Sequence, residues 1–280
     1  MTLLAIFSLQ MACGLALVMA RISPRDVPSG FFRVHSYVTL GLAILAALAT
    51  AQTGDTGAAL CSGIAAAASF VSAALWVYER ASAGRLALWV VALSAFMGGS
   101  QLLDYRSTVS AASSTGITIT GQGAGGSTLT GTMVLQGRST GAWLLDELDL
   151  LSGSLLVGTT LAAMLLGHWY LNTPTMKLAP LERLIWALIA AVLLRGALAL
   201  LGLVLVMTQT TEFGVGMVVF LALRWLAGIA GTLIVAVMAR ETLRIPNTQA
   251  ATGLLYVAVI TVFLGELAAR LLSNQTHYPL

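Results

Sequence analysis

Long apolar stretches alternate with short polar segments along the chain, and eight such stretches stand out. Each is about 18 residues or longer, so a helix with a rise of 1.5 Å per residue can cross the roughly 30 Å hydrocarbon core of a bilayer. Lipid cannot satisfy backbone N–H and C=O groups, so these segments are predicted to be helical. The pattern predicts an all-α integral membrane protein, a single transmembrane domain over residues 1–280, with spans at about 3–20, 31–51, 58–78, 86–103, 143–171, 181–207, 213–239 and 251–272.

One segment, residues 106–142, departs from this pattern because it is rich in Ser, Thr and Gly. Residues 116–120 and 127–135 alternate in polarity, and a glycine-rich stretch at 121–126 separates them. Alternation on both sides of a glycine turn is typical of a β-hairpin. We therefore predict a β-hairpin-like insertion between spans 4 and 5, and a flexible linker is the alternative.

Basic residues concentrate in every second loop, which predicts the orientation of the chain. The loops after spans 1, 3, 5 and 7 carry an excess of Lys and Arg, as cytoplasmic loops do. The opposite loops are nearly free of Lys and Arg apart from Arg106 and Arg138. We predict a multi-pass protein of the bacterial inner membrane, with both termini and the periplasmic 106–142 insertion outside. The basic residues of the predicted cytoplasmic side are Arg21, Arg25, Arg80, Arg85, Lys177, Arg183, Arg240 and Arg244.

The composition narrows the class of protein further. Hydrophobic residues make up 58% of the chain and charged residues 9%, whereas an ordinary soluble domain carries about 25% charged residues. This composition excludes a soluble globular enzyme, and the net charge of +3 is too small and too scattered for nucleic-acid binding. The chain is not expected to be an enzyme on its own. Its expected partners are membrane lipids and other subunits of a membrane complex.

Two histidines lie at similar predicted depth near the cytoplasmic side, His35 in span 2 and His168 in span 5. Neutral imidazoles on different helices are suitable axial ligands for the iron of haem b, and helical bundles house such cofactors. Tyr37 and Trp169 are neighbouring aromatic residues, and Arg33 could pair with a propionate. The sequence thus predicts a haem b or quinone site here. The alternative is that these side chains are interfacial anchors.

A second group of candidates consists of charged residues inside the last three spans: Arg195, Arg224, Glu266 and Arg270. Charged groups at membrane depth are costly and mark functional sites or ion pairs. We expect Glu266 to pair with Arg195 or Arg224. The pair is interpreted either as a structural link or as part of a proton pathway, an anion pathway or a quinone site.

Four acidic residues lie at the outer ends of spans 4 and 5, namely Asp104, Asp146, Glu147 and Asp149. Acidic side chains at the ends of spans are usually solvated. The sequence predicts a solvated acidic rim, and the alternative is a cation site or the mouth of a proton path.

Three functional hypotheses follow. The eight-span plan with an outward N-terminus and short loops is similar to that of quinol-interacting membrane subunits of bacterial oxidoreductases, an analogy of architecture alone. The leading hypothesis is a membrane subunit of a respiratory or photosynthetic electron-transfer complex, which scaffolds it and binds quinone or haem b. The second is a small-solute or ion transporter that uses the Arg/Glu cluster, and the third is a purely structural subunit. Transporters usually have broken helices or two similar halves. The sequence displays neither clearly, which favours the subunit.

Overall fold

The structure, a computed structural model, describes residues 1–114, 140–173, 176–208, 214–245 and 247–273. All regular elements in these ranges are helical, and eight of the helices are long and apolar enough to cross a membrane. This confirms the all-α prediction with eight candidate spans, and it fits a multi-pass membrane protein.

The helices follow the predicted order, and the seventh span is composite. A π-helical segment lies between α7 and α8, and we refer to these three elements together as the seventh span. The bounds are α1 Thr2–Arg21, α2 Ser29–Ala51, α3 Thr56–Val77, α4 Ala81–Ser114, α5 Thr140–Asn172, α6 Ala179–Met207, α7 Val215–Ala222, the π segment Leu223–Gly231, α8 Thr232–Arg244 and α9 Thr248–Leu272.

Helices extend into the predicted 106–142 insertion from both of its ends. Helix α4 continues to Ser114, and α5 begins at Thr140. Residues 105–114 are polar enough to leave the apolar stretch, but they contain no Gly or Pro, so nothing in them stops the helix. The arms of the predicted hairpin, 116–120 and 127–135, lie outside the described residues.

The helices pack as two rings of four that meet at α1 and α5. In the first ring, α2 and α4 each contact both α1 and α3. In the second ring, α6 and α9 each contact both α5 and α8, so the order of contacts repeats that of the first. The two rings meet mainly through α1 against α5. The chain therefore has two similar halves in topology, which the sequence did not reveal.

Two glycines set the distance between the rings. A methyl group on Gly14 of α1 would collide with the carbonyl oxygen of Ser154 and the backbone of Gly158 in α5, and one on Gly158 would collide with the backbone of Gly14. Small residues let helix backbones approach closely where lipid gives no hydrophobic drive. This contact brings the middle of α1 beside the second ring, where the charged residues lie.

Candidate functional site

Five charged side chains from four spans are buried together in the second ring. Asp149 comes from α5, Arg195 from α6, Arg224 from the π segment, and Glu266 and Arg270 from α9. None is more than 6% exposed. We call these five residues, together with Gln10 of α1, the charge network. Burying so many charges is costly unless they are paired and hydrogen-bonded, so the partners of each one matter.

Arg195 and Glu266 form the centre of the charge network. Arg195 Nε donates to Glu266 Oε1 over 2.7 Å, and Arg195 Nη2 donates to Oε2 over 3.1 Å. Two parallel hydrogen bonds of this kind fix the planes of both groups and are stronger than neutral hydrogen bonds. The pair therefore holds α6 and α9 in one register.

The third nitrogen of Arg195 points to α5. Arg195 Nη1 donates to Asp149 Oδ1, to the Asp149 carbonyl oxygen over 3.1 Å and to Ser152 Oγ over 3.2 Å. The other carboxylate oxygen of Asp149, Oδ2, lies 3.2 Å from Arg270 Nη1. All three guanidinium nitrogens of Arg195 and both carboxylate oxygens of Asp149 are thus engaged.

Gln10 connects the first ring to the charge network. Its Nε2 donates to Glu266 Oε2 over 2.8 Å, and its Oε1 accepts from Arg270 Nη2 over 2.8 Å. A side chain at Gly153 would collide with the Gln10 amide and the Glu266 carboxylate, so the glycine makes room for this contact. The network therefore crosses the junction between the two rings.

Arg224 is the least satisfied member of the charge network. Its Nη1 lies 3.5 Å from the Gly265 carbonyl oxygen and 3.9 Å from Glu266 Oε1. Its Nε and Nη2 are buried and have no hydrogen-bond partner among the described residues. Three arginines against two carboxylates leave one formal positive charge in excess, and Arg224 is where it is least compensated.

The backbone near Arg224 is unusual in two ways. The nine-residue π segment that carries it interrupts an otherwise α-helical span, and π-helical turns are rare and frequent at functional sites. Gly228 of this segment packs backbone to backbone against Gly265 of α9. A narrow cleft lies beside them, and in this conformation it is too tight to hold a water molecule. Its lining residues are Leu156, Arg195, Arg224, Gly228, Ile229, Val262, Gly265 and Glu266.

The two histidines contact different helices. His35 is buried, its Nδ1 lies 2.6 Å from the Phe31 carbonyl oxygen, and its ring centroid is 6.4 Å from that of Trp169. His168 is exposed, and its Nδ1 lies 3.2 Å from the Tyr256 hydroxyl on α9. Consecutive residues on a helix point about 100° apart, so Trp169 faces α2 while His168 faces α9.

Arg33 and Tyr37 lie on the opposite side of α2 from His35. Both are exposed on the outside of the bundle, one turn apart, whereas His35 faces inward. The structure therefore brings Trp169 to His35 and leaves the other two predicted contact residues on a different surface. The haem and quinone assignments for His35 and His168 stay predictions.

The solvated-rim interpretation is wrong for Asp149. Helix α5 begins at Thr140, which places Asp149 about 14 Å along the helix axis and inside the bundle. Glu147 instead accepts a hydrogen bond from Ser100 of α4.

Sequence reasoning missed the roles of Gln10, Gly153 and Asp149. Gln10 interrupts the apolar pattern of the first span, and that polar interruption was the available signal. Asp149 was grouped with its acidic neighbours because spacing along the chain does not reveal which side of a helix is buried.

Comparison with known proteins gives no matching family model, no similar curated protein and no similar solved structure. Within the described residues, no group of three or more His, Cys, Asp or Glu side chains is placed to hold a metal ion.

Proposed function

We propose that this protein transports a small solute or ion across the membrane and that the charge network is its binding site. The observation that carries the proposal is the incomplete pairing of buried charge at Arg224. A structural ion pair is expected to be balanced, because an uncompensated buried charge destabilises the fold. A buried network that keeps an excess charge is what we expect of a site that binds a ligand.

Two features of the fold support transport over a purely structural role. The π segment changes the hydrogen-bond register of the seventh span at the charged site, and π-helical turns are frequent at functional sites. The two rings repeat one order of helix contacts, as the two halves of many transporters do. Both features were absent from the sequence argument that favoured a complex subunit.

The position of the charge network also suits transport. Gln10 belongs to the first ring, while its partners Glu266 and Arg270 belong to the second. Movement of one ring against the other about the Gly14–Gly158 contact would break or remake these hydrogen bonds. A ligand at the network can therefore bias the relative position of the rings.

The proposal is tested with the purified full chain in liposomes on a solid-supported membrane. Concentration jumps of sodium chloride, sodium nitrate, sodium formate, sodium gluconate and lysine hydrochloride are applied. We expect a transport current for at least one of these solutes, which empty liposomes do not give. If none of these five salts gives a current or an uptake of labelled solute, the proposal that the protein transports small solutes or ions of this kind is contradicted.

For orientation, we propose the bacterial inner membrane with both termini outside. The support is the fourfold recurrence of basic loops on one side. With this orientation the charge network lies in the outer half of the bundle.

A second candidate function, a quinone- or haem-binding subunit of an electron-transfer complex, is favoured by one observation at His35. The Phe31 carbonyl can only accept, so His35 Nδ1 donates to it. In neutral imidazole the other nitrogen, Nε2, is then an acceptor that can bind iron or receive a quinol proton. The buried Trp169 Nε1, which has no partner among the described residues, supplies a donor nearby.

The second candidate is tested by a reduced-minus-oxidised absorption spectrum and by extraction of quinone from the purified protein. A b-type band or bound quinone that disappears in His35→Gln and persists in His168→Gln would favour a site at His35. The second candidate would be contradicted if the purified protein contains neither haem b nor quinone and no other subunit co-purifies with it.

A further inference from the structure

We infer that Arg224 and the adjacent cleft bind a small monovalent anion, which names the solute class of the proposed transport function and rests on it. Arg224 is 1% exposed, and its Nε and Nη2 have no acceptor among the described residues. Buried N–H groups in proteins are almost always hydrogen-bonded. These two adjacent guanidinium N–H donors match an anion that accepts hydrogen bonds through one or two oxygen atoms or as a single halide ion.

The carboxylates of the charge network do not supply acceptors for Nε and Nη2 of Arg224. Both oxygens of Glu266 already accept from Arg195, and one of them also accepts from Gln10. Both oxygens of Asp149 contact Arg195 or Arg270. Arg224 Nη1 remains 3.9 Å from Glu266, which is longer than a hydrogen bond. One monovalent anion would balance the excess positive charge.

The walls of the cleft limit the size of the anion. Apolar side chains of Leu156, Ile229 and Val262 surround the arginines, and the paired glycines Gly228 and Gly265 close one side. Such walls exclude water and strengthen the attraction between a guanidinium and an anion. In this conformation the cleft has no room for an ion, so the walls must part before one binds. Chloride, nitrate or formate needs a smaller opening than gluconate.

Entry of the anion requires a small movement of the seventh span. This span is the least buried of the eight, and none of the residues in α7 is buried. The π segment can exchange its hydrogen-bond register for an α-helical one, which would rotate Arg224 relative to α8. The seventh span is therefore the element that opens the cleft.

The test is thermal unfolding of the detergent-purified full chain in sodium chloride and in sodium gluconate at equal ionic strength. A ligand that binds only the folded state raises the melting temperature, here by roughly 3–5 °C for each tenfold rise in chloride above the dissociation constant. We expect this rise in chloride, nitrate and formate but not in gluconate. Arg224→Gln should abolish it, whereas Arg183→Gln, at an exposed arginine, should not.

A second variant keeps the test decisive if Arg224→Gln does not fold. Arg224→Lys retains the charge but lacks the two adjacent donors, and we expect at least a tenfold weaker dependence on chloride concentration. Equal melting temperatures in chloride and gluconate, or an unchanged chloride response in Arg224→Lys, would overturn the anion site. Transport of a cation without any anion effect would overturn the anion site and leave the transport proposal standing. Anion stabilisation without flux would support the site and contradict transport.

Discussion

Arg195 and Glu266 lie side by side in the centre of the second ring, with two nitrogens of the guanidinium donating to two different carboxylate oxygens over 2.7 and 3.1 Å. The two side chains come from α6 and α9 and are 1% and 2% exposed. This pair places the carboxylate where Gln10 and Arg224 also approach it. The pair is therefore in contact with Asp149, Gln10 and Arg224, and Arg270 joins the charge network through Asp149 and Gln10.

Glu266→Gln removes a buried negative charge and leaves Arg195 and Arg224 uncompensated on that side. Breaking a buried ion pair destabilises a protein by about 3–5 kcal/mol, so yield and melting temperature should fall. The double variant, Glu266→Gln with Arg195→Gln, should lose less free energy of unfolding than the two single variants lose together. Thermal unfolding of the four proteins measures this coupling. Additive losses would contradict a direct pair.

Gln10→Leu should weaken the junction between the two rings. It removes the donor to Glu266 and the acceptor of Arg270, and unsatisfied buried polar groups cost about 1–3 kcal/mol each. We expect a lower melting temperature than for Gln52→Leu, a change at an exposed position just after α2. Equal melting temperatures of the two variants would show that the Gln10 contacts do not stabilise the fold.

Gly14→Ala should separate α1 from α5. The added methyl group meets backbone atoms of α5, which cannot move aside without shifting the helix, so we expect a loss of roughly 3 kcal/mol or more. Gly41→Ala in α2 is the control, because a methyl group there meets nothing within 4 Å. It should be neutral or slightly stabilising, since alanine favours a helix. Similar unfolding of the two variants would contradict the close contact of the rings.

The proposed orientation predicts that the C-terminus is periplasmic. Fusion of alkaline phosphatase to the C-terminus should give an active enzyme, and fusion of green fluorescent protein should stay dark. A bright fluorescent fusion with inactive phosphatase would invert the topology. The charge network would then lie in the inner half of the membrane.

Hydrophobicity alone predicted the eight spans, because length and apolar content decide whether a helix can cross a membrane. The candidate fourth span ends at Asp104, close to the predicted end at 103, whereas the helix continues to Ser114, because polarity marks where the apolar stretch stops and not where the helix stops. The arms of the predicted β-hairpin lie outside the described residues.

The candidate site was predicted in part. Arg195, Arg224, Glu266 and Arg270 were identified because charge at such depth is costly. Asp149 and Gln10 were not, because their roles depend on which way each helix faces its neighbours. The π segment and the two rings were also missed: a change of hydrogen-bond register leaves no mark in the hydrophobic pattern, and the rings are defined by contacts between distant residues.

The most direct test of the transport account compares Glu266→Asp with Glu241→Asp in liposomes. Both substitutions keep the charge and shorten the side chain by one methylene, but Glu266 is buried beside Arg195 while Glu241 is a surface residue of α8 paired with Arg240 and Arg244. The initial rate of transport of whichever solute the wild-type protein moves is measured at equal amounts of folded protein. We predict a rate at least tenfold lower for Glu266→Asp and a wild-type rate for Glu241→Asp. Equal rates for the two variants would contradict a role of the charge network in transport.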